Sequence, residues 1–115
     1  MTQPLDVVAT RLDVAPESVR AAAALLSDSL AAVGAGREDA QLRVLEVKAA
    51  AGEAAIDVTD LAMQICGGAA FRKETGIERH FRDSLAARVM APTTDALLDI
   101  VGRAVAGLPL LGEVV

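Results

Sequence analysis

QICGGAAFRKETGIERHFRDS, residues 64–84, breaks a long helical pattern at two adjacent glycines and resumes it in a charged helix. Glycine enters left-handed backbone without a Cβ penalty, so Gly67 and Gly68 are expected to end one helix and turn the chain. No G-x-G-x-x-G follows a strand and no Walker pattern is present, so the common phosphate cradles are absent. Arg72 and Lys73 could serve an anion or the last carbonyls of the preceding helix. Thr75 and Glu78 have the T-x-x-E spacing of a capping box, which predicts a helix from Thr75. Along it Ile77, Phe81, Leu85 and Val89 share a face, and Glu78–Arg82 and Arg79–Asp83 stand four apart, the spacing of helical ion pairs.

Upstream of the glycines, the spacing predicts a helix over 38–65 with three stripes. Leu42, Leu45, Ala49, Gly52, Ile56, Thr59 and Met63 form one apolar stripe, and Val44, Val47, Ala51, Ala54, Val58, Leu61 and Ile65 a second. The third, Arg43, Glu46, Ala50, Glu53, Asp57, Asp60 and Gln64, is mostly polar. A helix apolar on two of three faces packs on both sides, so this one is expected at the centre of the fold. Small residues from 49 to 55 should let a neighbouring helix come close.

Two further helices complete the pattern. Pro16 reads as a first-turn proline with Glu17 near the positive end, and Val19, Ala23, Leu26, Leu30 and Val33 form an apolar stripe until Gly34 and Gly36. The last helix starts near Pro92, carries Leu97, Leu98, Val101 and Val105, and stops at Gly107 and Pro109. No period-two alternation suggests a strand. Short connections make neighbours antiparallel, so the expected fold is all-α, a four-helix up-and-down bundle over 15–107. Residues 1–14 are expected to be an N-terminal arm and 108–115 a tail.

Of the 115 residues 53% are apolar, yet there is no Trp or Tyr and there are only two Phe, Phe71 and Phe81. A mean hydropathy of +0.41 is high for a free-standing domain. No run of about 18 residues is free of charge, as a spanning helix needs, and no signal-peptide pattern opens the chain. The expectation is a cytoplasmic protein that buries apolar surface against other protein, with no membrane partner. A net charge of −5 argues against nucleic acid as a partner. The lone Cys66 excludes an intrachain disulfide and any Cys-based zinc cluster, and the lone His80 lies in a run of charges, so no metal is expected.

The order of features is more specific than any one of them. Gln64, Gly67-Gly68, Phe71, Glu78-Arg79, Arg82-Asp83 and then Thr93 form a series that resembles the C-terminal helical domain of the acyl-CoA dehydrogenase and oxidase superfamily of flavoproteins. The likeness covers about residues 20–106. It implies a four-helix bundle of the acyl-CoA dehydrogenase C-terminal type that builds oligomer interfaces. It also implies that Gln64, Ile65, Cys66, Gly67 and Gly68 approach the adenine and pyrophosphate end of an FAD held mostly by another subunit. Thr93 and Asp95 match two further positions that lie by the cofactor, although a neutral amide is common where Asp95 stands.

Departures from the family pattern shape the functional expectation. Many members carry a glutamate before Gly-Thr as the base that removes the α-proton of the acyl thioester while hydride passes to the flavin. Here the aligned residues are Ala91-Pro92-Thr93, and alanine cannot be a base, so no catalytic residue is assigned. The upstream acids Asp6, Asp13 and Glu17 offer no clear substitute. The family's N-terminal helical domain and middle β-domain fall outside these residues. The expected role is therefore a C-terminal domain or small subunit that needs a homo-oligomer or a partner subunit to supply those domains, and is inactive alone. The alternatives are a non-enzymatic, self-associating relic of the family, or a component of a related flavin monooxygenase or oxidase.

Overall fold

The computed structural model describes the backbone of residues 5–110 and the side chains of residues 17–110. Four helices run up and down: α1 (Leu5–Ala35), α2 (Ala40–Cys66), α3 (Ile77–Val89) and α4 (Thr94–Val105). Two short 3₁₀ segments, Gly67–Phe71 and Lys73–Thr75, link α2 to α3. No strand occurs among the described residues, and the all-α expectation holds.

The central position expected for α2 is observed. It contacts α1 on one side and α3 and α4 on the other, while among the described residues α1 touches neither α3 nor α4. The first apolar stripe is the one under α3 and is covered: Ala49, Gly52 and Ile56 are buried. Thr59 of that stripe shares a hydrogen bond with Ser84 of α3 at 3.0 Å. The second stripe faces α1 and is only partly covered, with Ala54 and Leu61 buried but Val44, Val58 and Ile65 exposed. The bundle is thus open along α1, and its Cα radius of gyration of 17.3 Å exceeds the roughly 13 Å expected of a compact chain this long.

Close approach at Gly52 is the reason α3 can lie on α2. A Cβ there would sit 3.0 Å from Cβ of Ala87, nearer than side chains normally come. Gly102 of α4 is the contrasting case, with nothing within 4 Å of a Cβ. Alanine at Gly102 should therefore stabilise the chain by about 0.5–1 kcal/mol through helix propensity. Alanine at Gly52 should destabilise it, because the same gain is offset by overpacking that costs about 1–3 kcal/mol. Urea midpoints of the two variants check this pair, and a common sign would refute the close-contact account.

Three expectations are corrected. First, α1 begins at Leu5, not at Pro16, so Glu17 lies inside the helix and pairs with Arg20 at 3.3 Å. Pro16 removes one backbone donor from within the helix, which nonetheless runs through it. Of the expected arm, residues 1–4 lie outside the described residues, as do 111–115 of the tail. Second, the stripe Val19, Ala23, Leu26, Leu30 and Val33 is exposed, and α1 turns Ser29 and Ala32 inward instead. Those small side chains let the α1 and α2 backbones approach, which larger residues prevent. Third, the Thr75–Glu78 capping box does not form. The cap of α3 is Gly76 in left-handed backbone with no side-chain hydrogen bond, and the Thr75 hydroxyl donates to the carbonyl of Arg72. The Glu78–Arg82 pair is present at 3.8 Å, whereas Arg79 and Asp83 form none.

Among the described residues, one helical segment, Glu17–Ala35 within α1, is by length and composition long and apolar enough to cross a membrane. Glu17 opens it and Arg20 and Asp28 interrupt it, which is why the sequence expectation passed it over, yet its mean hydropathy is still 1.2. Asp28 accepts a hydrogen bond from Arg37 Nη1 at 2.9 Å, and Asp39 takes another Arg37 nitrogen at 2.7 Å. That cluster locks the α1–α2 turn.

Candidate functional site

Gln64, Ile65 and Cys66 form the last turn of α2, and Gly67 caps it by donating its N–H to the carbonyl of Met63. Gly67 has φ +58° and ψ −139°, a conformation that strains any residue with a Cβ. Gly68 does not share that constraint, for its φ is ordinary, and a Cβ on it would meet nothing within 4 Å. Ala70 then turns into the core while Phe71 is 71% exposed. All five residues 64–68 are exposed, so the turn offers bare backbone to the outside. Gln64 is not idle, because its Nε2 donates to Asp60 at 3.1 Å.

Thr93 and Asp95 lie elsewhere. Thr93 is the N-cap of α4, its hydroxyl oxygen accepting the N–H of Ala96 at 3.2 Å, and Asp95 is exposed in the first turn. The loop that carries Ala91 before them is held by Lys48 of α2, whose Nζ donates to the carbonyls of Met90, at 2.8 Å, and Pro92. Asp95 borders a cleft of about 550 Å³ with Glu53, Arg88, Thr94 and Leu98. Counted along α2 from Lys48 or Glu53 to Cys66, the two predicted site segments stand about 20–27 Å apart. The fold therefore brings Gln64 to Gly68 together as one group and Thr93 with Asp95 as another, and does not unite the two.

Glu53 and Arg88 form a bidentate pair across α2 and α3, at 2.9 and 2.7 Å. The hydrogen bond from Arg88 holds the Glu53 carboxyl below its ordinary 4.5, and the same bond raises Arg88, with weaker help from Asp57 and Asp95. Arg37 likewise lowers Asp28 and, with Arg43, Asp39. Depressed carboxyl values stabilise the fold above the unfolded values, and that contribution is lost as pH falls through the folded ones. Stability should hold level above pH about 5 and decline as pH drops below 4.5. In Arg88→Gln the acid decline should be shallower. Thermal midpoints across pH 3–7, on the order of one point per half unit, measure it, and an unchanged slope would remove the pair from the account.

Lys48, Glu53 and Arg88 were not singled out by sequence. Glu53 and Arg88 are 35 residues apart and Lys48 reaches 42 residues along the chain, so no local spacing marks either contact. The described residues hold no group of three or more His, Cys, Asp or Glu side chains placed for a metal ion.

The described residues form an all-helical domain with an exposed glycine turn after α2 and a separate corner at the start of α4. The chain belongs to the acyl-CoA dehydrogenase family, whose C-terminal domain model matches residues 5–106. It is 32% identical over 97 residues to cyclohex-1-ene-1-carbonyl-CoA dehydrogenase of Geobacter metallireducens, a match that covers 84% of this chain and 24% of that protein. The chain thus spans about a quarter of that relative's length. No solved structure matches it significantly.

Proposed function

We propose that this chain serves as the C-terminal helical domain of an FAD-dependent acyl-CoA dehydrogenase-like enzyme, contributing oligomer interface and one edge of a neighbouring subunit's FAD site. The observation that carries the reading is Gly68. Neither its backbone conformation nor its packing within the chain requires a glycine. A bare backbone that the fold does not need is suited to a group arriving from outside, and backbone N–H groups without a Cβ can meet a phosphate or ribose. The separation of Gln64 to Gly68 from Thr93 and Asp95 supports two different FAD molecules being touched by one chain. The Geobacter relative's name supports a CoA thioester as the substrate class.

When bound, FAD would accept the substrate hydride. Of this chain's residues, Gln64, Ile65, Cys66, Gly67 and Gly68 would border its nucleotide end, and Thr93 has a hydroxyl proton still free to donate. No base is assigned in place of Ala91, and catalysis needs the N-terminal and middle domains, on a partner chain or an attached segment. The exposed apolar side chains of α1 and α2 support burial against protein, and the paired Asp28 and Arg37 inside or beside the apolar stretch of α1 support it over a lipid environment. A cytoplasmic location and no nucleic-acid partner accord with this reading.

The test is co-expression with the missing domains. Wild-type assembly should retain flavin absorbance through gel filtration, and Gly68→Val should lower retention about tenfold, the loss of one or two backbone contacts. Circular dichroism should be unchanged, since the added side chain meets open space. Full FAD retention by a folded Gly68→Val assembly would refute the assignment. A stable homo-oligomer of the chain alone, with no flavin uptake in any assembly, would favour the self-associating relic.

A further inference from the structure

We infer that α1 is a separable arm: it opens from α2 as one unit about the 36–39 turn while α2, α3 and α4 stay packed, and Arg37 is the latch that holds it closed. The seam between α1 and α2 is long, yet among the described residues α1 packs against α2 alone. What it contributes to the core is small. Of the α1 side chains described, only Ser29 and Ala32 are buried, and the Ser29 hydroxyl donates to the carbonyl of Leu26 in its own helix. The larger buried side chains, Ile56, Leu61 and Leu97, belong to α2 and α4. A groove of about 510 Å³, lined by Val19, Leu26, Val47 and Val58, leaves one side of the seam open. Burial stabilises in proportion to the apolar area removed from water, so this seam closes with less free energy per turn of helix than the unit beyond it.

The turn has a hinge and a tie. Gly36 reverses the chain at φ +65°, and a Cβ on it would meet nothing within 4 Å. Its constraint is therefore one of backbone conformation, and it applies only while the two helices are folded back on each other. Arg37 bridges them: Nη1 donates to Asp28 of α1 at 2.9 Å, and Nη2 to Asp39, the N-cap of α2, at 2.7 Å. Arg43 of α2 donates to the same Asp39 oxygen at 3.1 Å and fixes it on the α2 side. For α1 to swing away, Arg37 must release Asp28. Opening uncovers Ala54 and Leu61 of α2, so a protein that covers the groove also clamps the arm shut.

The inference does not rest on the FAD reading, and Gly68→Val should leave it intact, so either can fail alone. The test is native-state hydrogen exchange of the ¹⁵N-labelled full chain. Once undocked, a lone helix is only marginally stable in water, so its amides exchange. Amides of residues 20–33 should share one opening constant, at least about tenfold larger than that of residues 52–61. Gly36→Ala should raise exchange in α1 about tenfold, the penalty of a left-handed alanine, and leave residues 52–61 and 97–101 unchanged. Gly34→Ala, two residues away in ordinary helical backbone, should slow it. Arg37→Gln should speed it about threefold, as loss of exposed ion pairs does, whereas Arg103→Gln, whose pair with Asp99 lies within α4, should not. One opening constant common to α1 and α2 would overturn the arm, as would equal acceleration of α1, α2 and α4 by Gly36→Ala. Acceleration by Gly34→Ala as large as by Gly36→Ala would remove the hinge from the account, and an Arg37→Gln response no larger than that of Arg103→Gln would remove the latch.

Discussion

Leu97→Ala is expected to cost about 2–5 kcal/mol, enough to leave much of the chain unfolded at 25 °C. Leu97 is the one large side chain that is fully buried among the described residues, at 0% exposure. The other buried apolar side chains are mostly small, Ala32, Ala49, Ala54 and Ala70, with Ile56 and Leu61 the larger exceptions. A core so rich in alanine has few long side chains that could move to fill a space left by a leucine. The cavity term then adds almost in full to the lost transfer energy. A chain this short has little stability in reserve, because small domains bury a smaller share of their surface. Urea unfolding followed by circular dichroism measures the change, and a loss under about 1 kcal/mol would show that α4 is not held through this residue.

The second large effect concerns association. Leu26→Asp combined with Val58→Asp should turn an assembly of this chain into a monomer of 11.8 kDa. The two residues face each other across a groove of about 510 Å³ between α1 and α2, lined by Val19, Ala23, Val47 and Ala51. Leu30 and Val33 extend the exposed apolar strip toward the α1–α2 turn, at 65% and 58% exposure. The total surface of 7941 Å² exceeds the roughly 5900 Å² expected of a compact monomer of this mass. Carboxylates placed in such a strip are harmless while it faces water and costly once a partner covers it. The expected loss is about 2 kcal/mol per site, close to a thousandfold in the dissociation constant. Sedimentation equilibrium of the chain, or of its complex with the missing domains, would read it. An unchanged dissociation constant would place the interface elsewhere.

How much of this was legible in sequence differs from element to element. α2 was readable because its three stripes differ in chemistry, so the helical period alone ranks its faces and puts it at the centre. The glycine turn was readable because its backbone requirement is local to Gly67. α1 was not, since Val19, Leu26 and Leu30 on one face and Leu25 and Ala32 on another are all apolar. Periodicity picks out the first, more apolar stripe, and only the fit of small residues against α2 turns the other inward. Thr75 and Glu78 had the right spacing for a capping box, but left-handed Gly76 between them starts the helix two residues later. The pair Glu53–Arg88, the Lys48 tether and the Arg37–Asp28 bond depend on which helices meet, and spacing along one helix carries no such information.

Sequence alone was sufficient for what short-range physics sets: four helices, no strands, a break at Gly67, an alanine where an acid base commonly stands, and the resemblance those residues carry. Tertiary structure decided which apolar face α1 turns inward, that the bundle stays open beside it, and that Gln64 to Gly68 lie about 20–27 Å from Thr93 and Asp95. The reason is that helix formation and turning are governed by neighbours within about four residues, whereas burial and distance between sites arise only when the packed helices fix one another's rotation and offset.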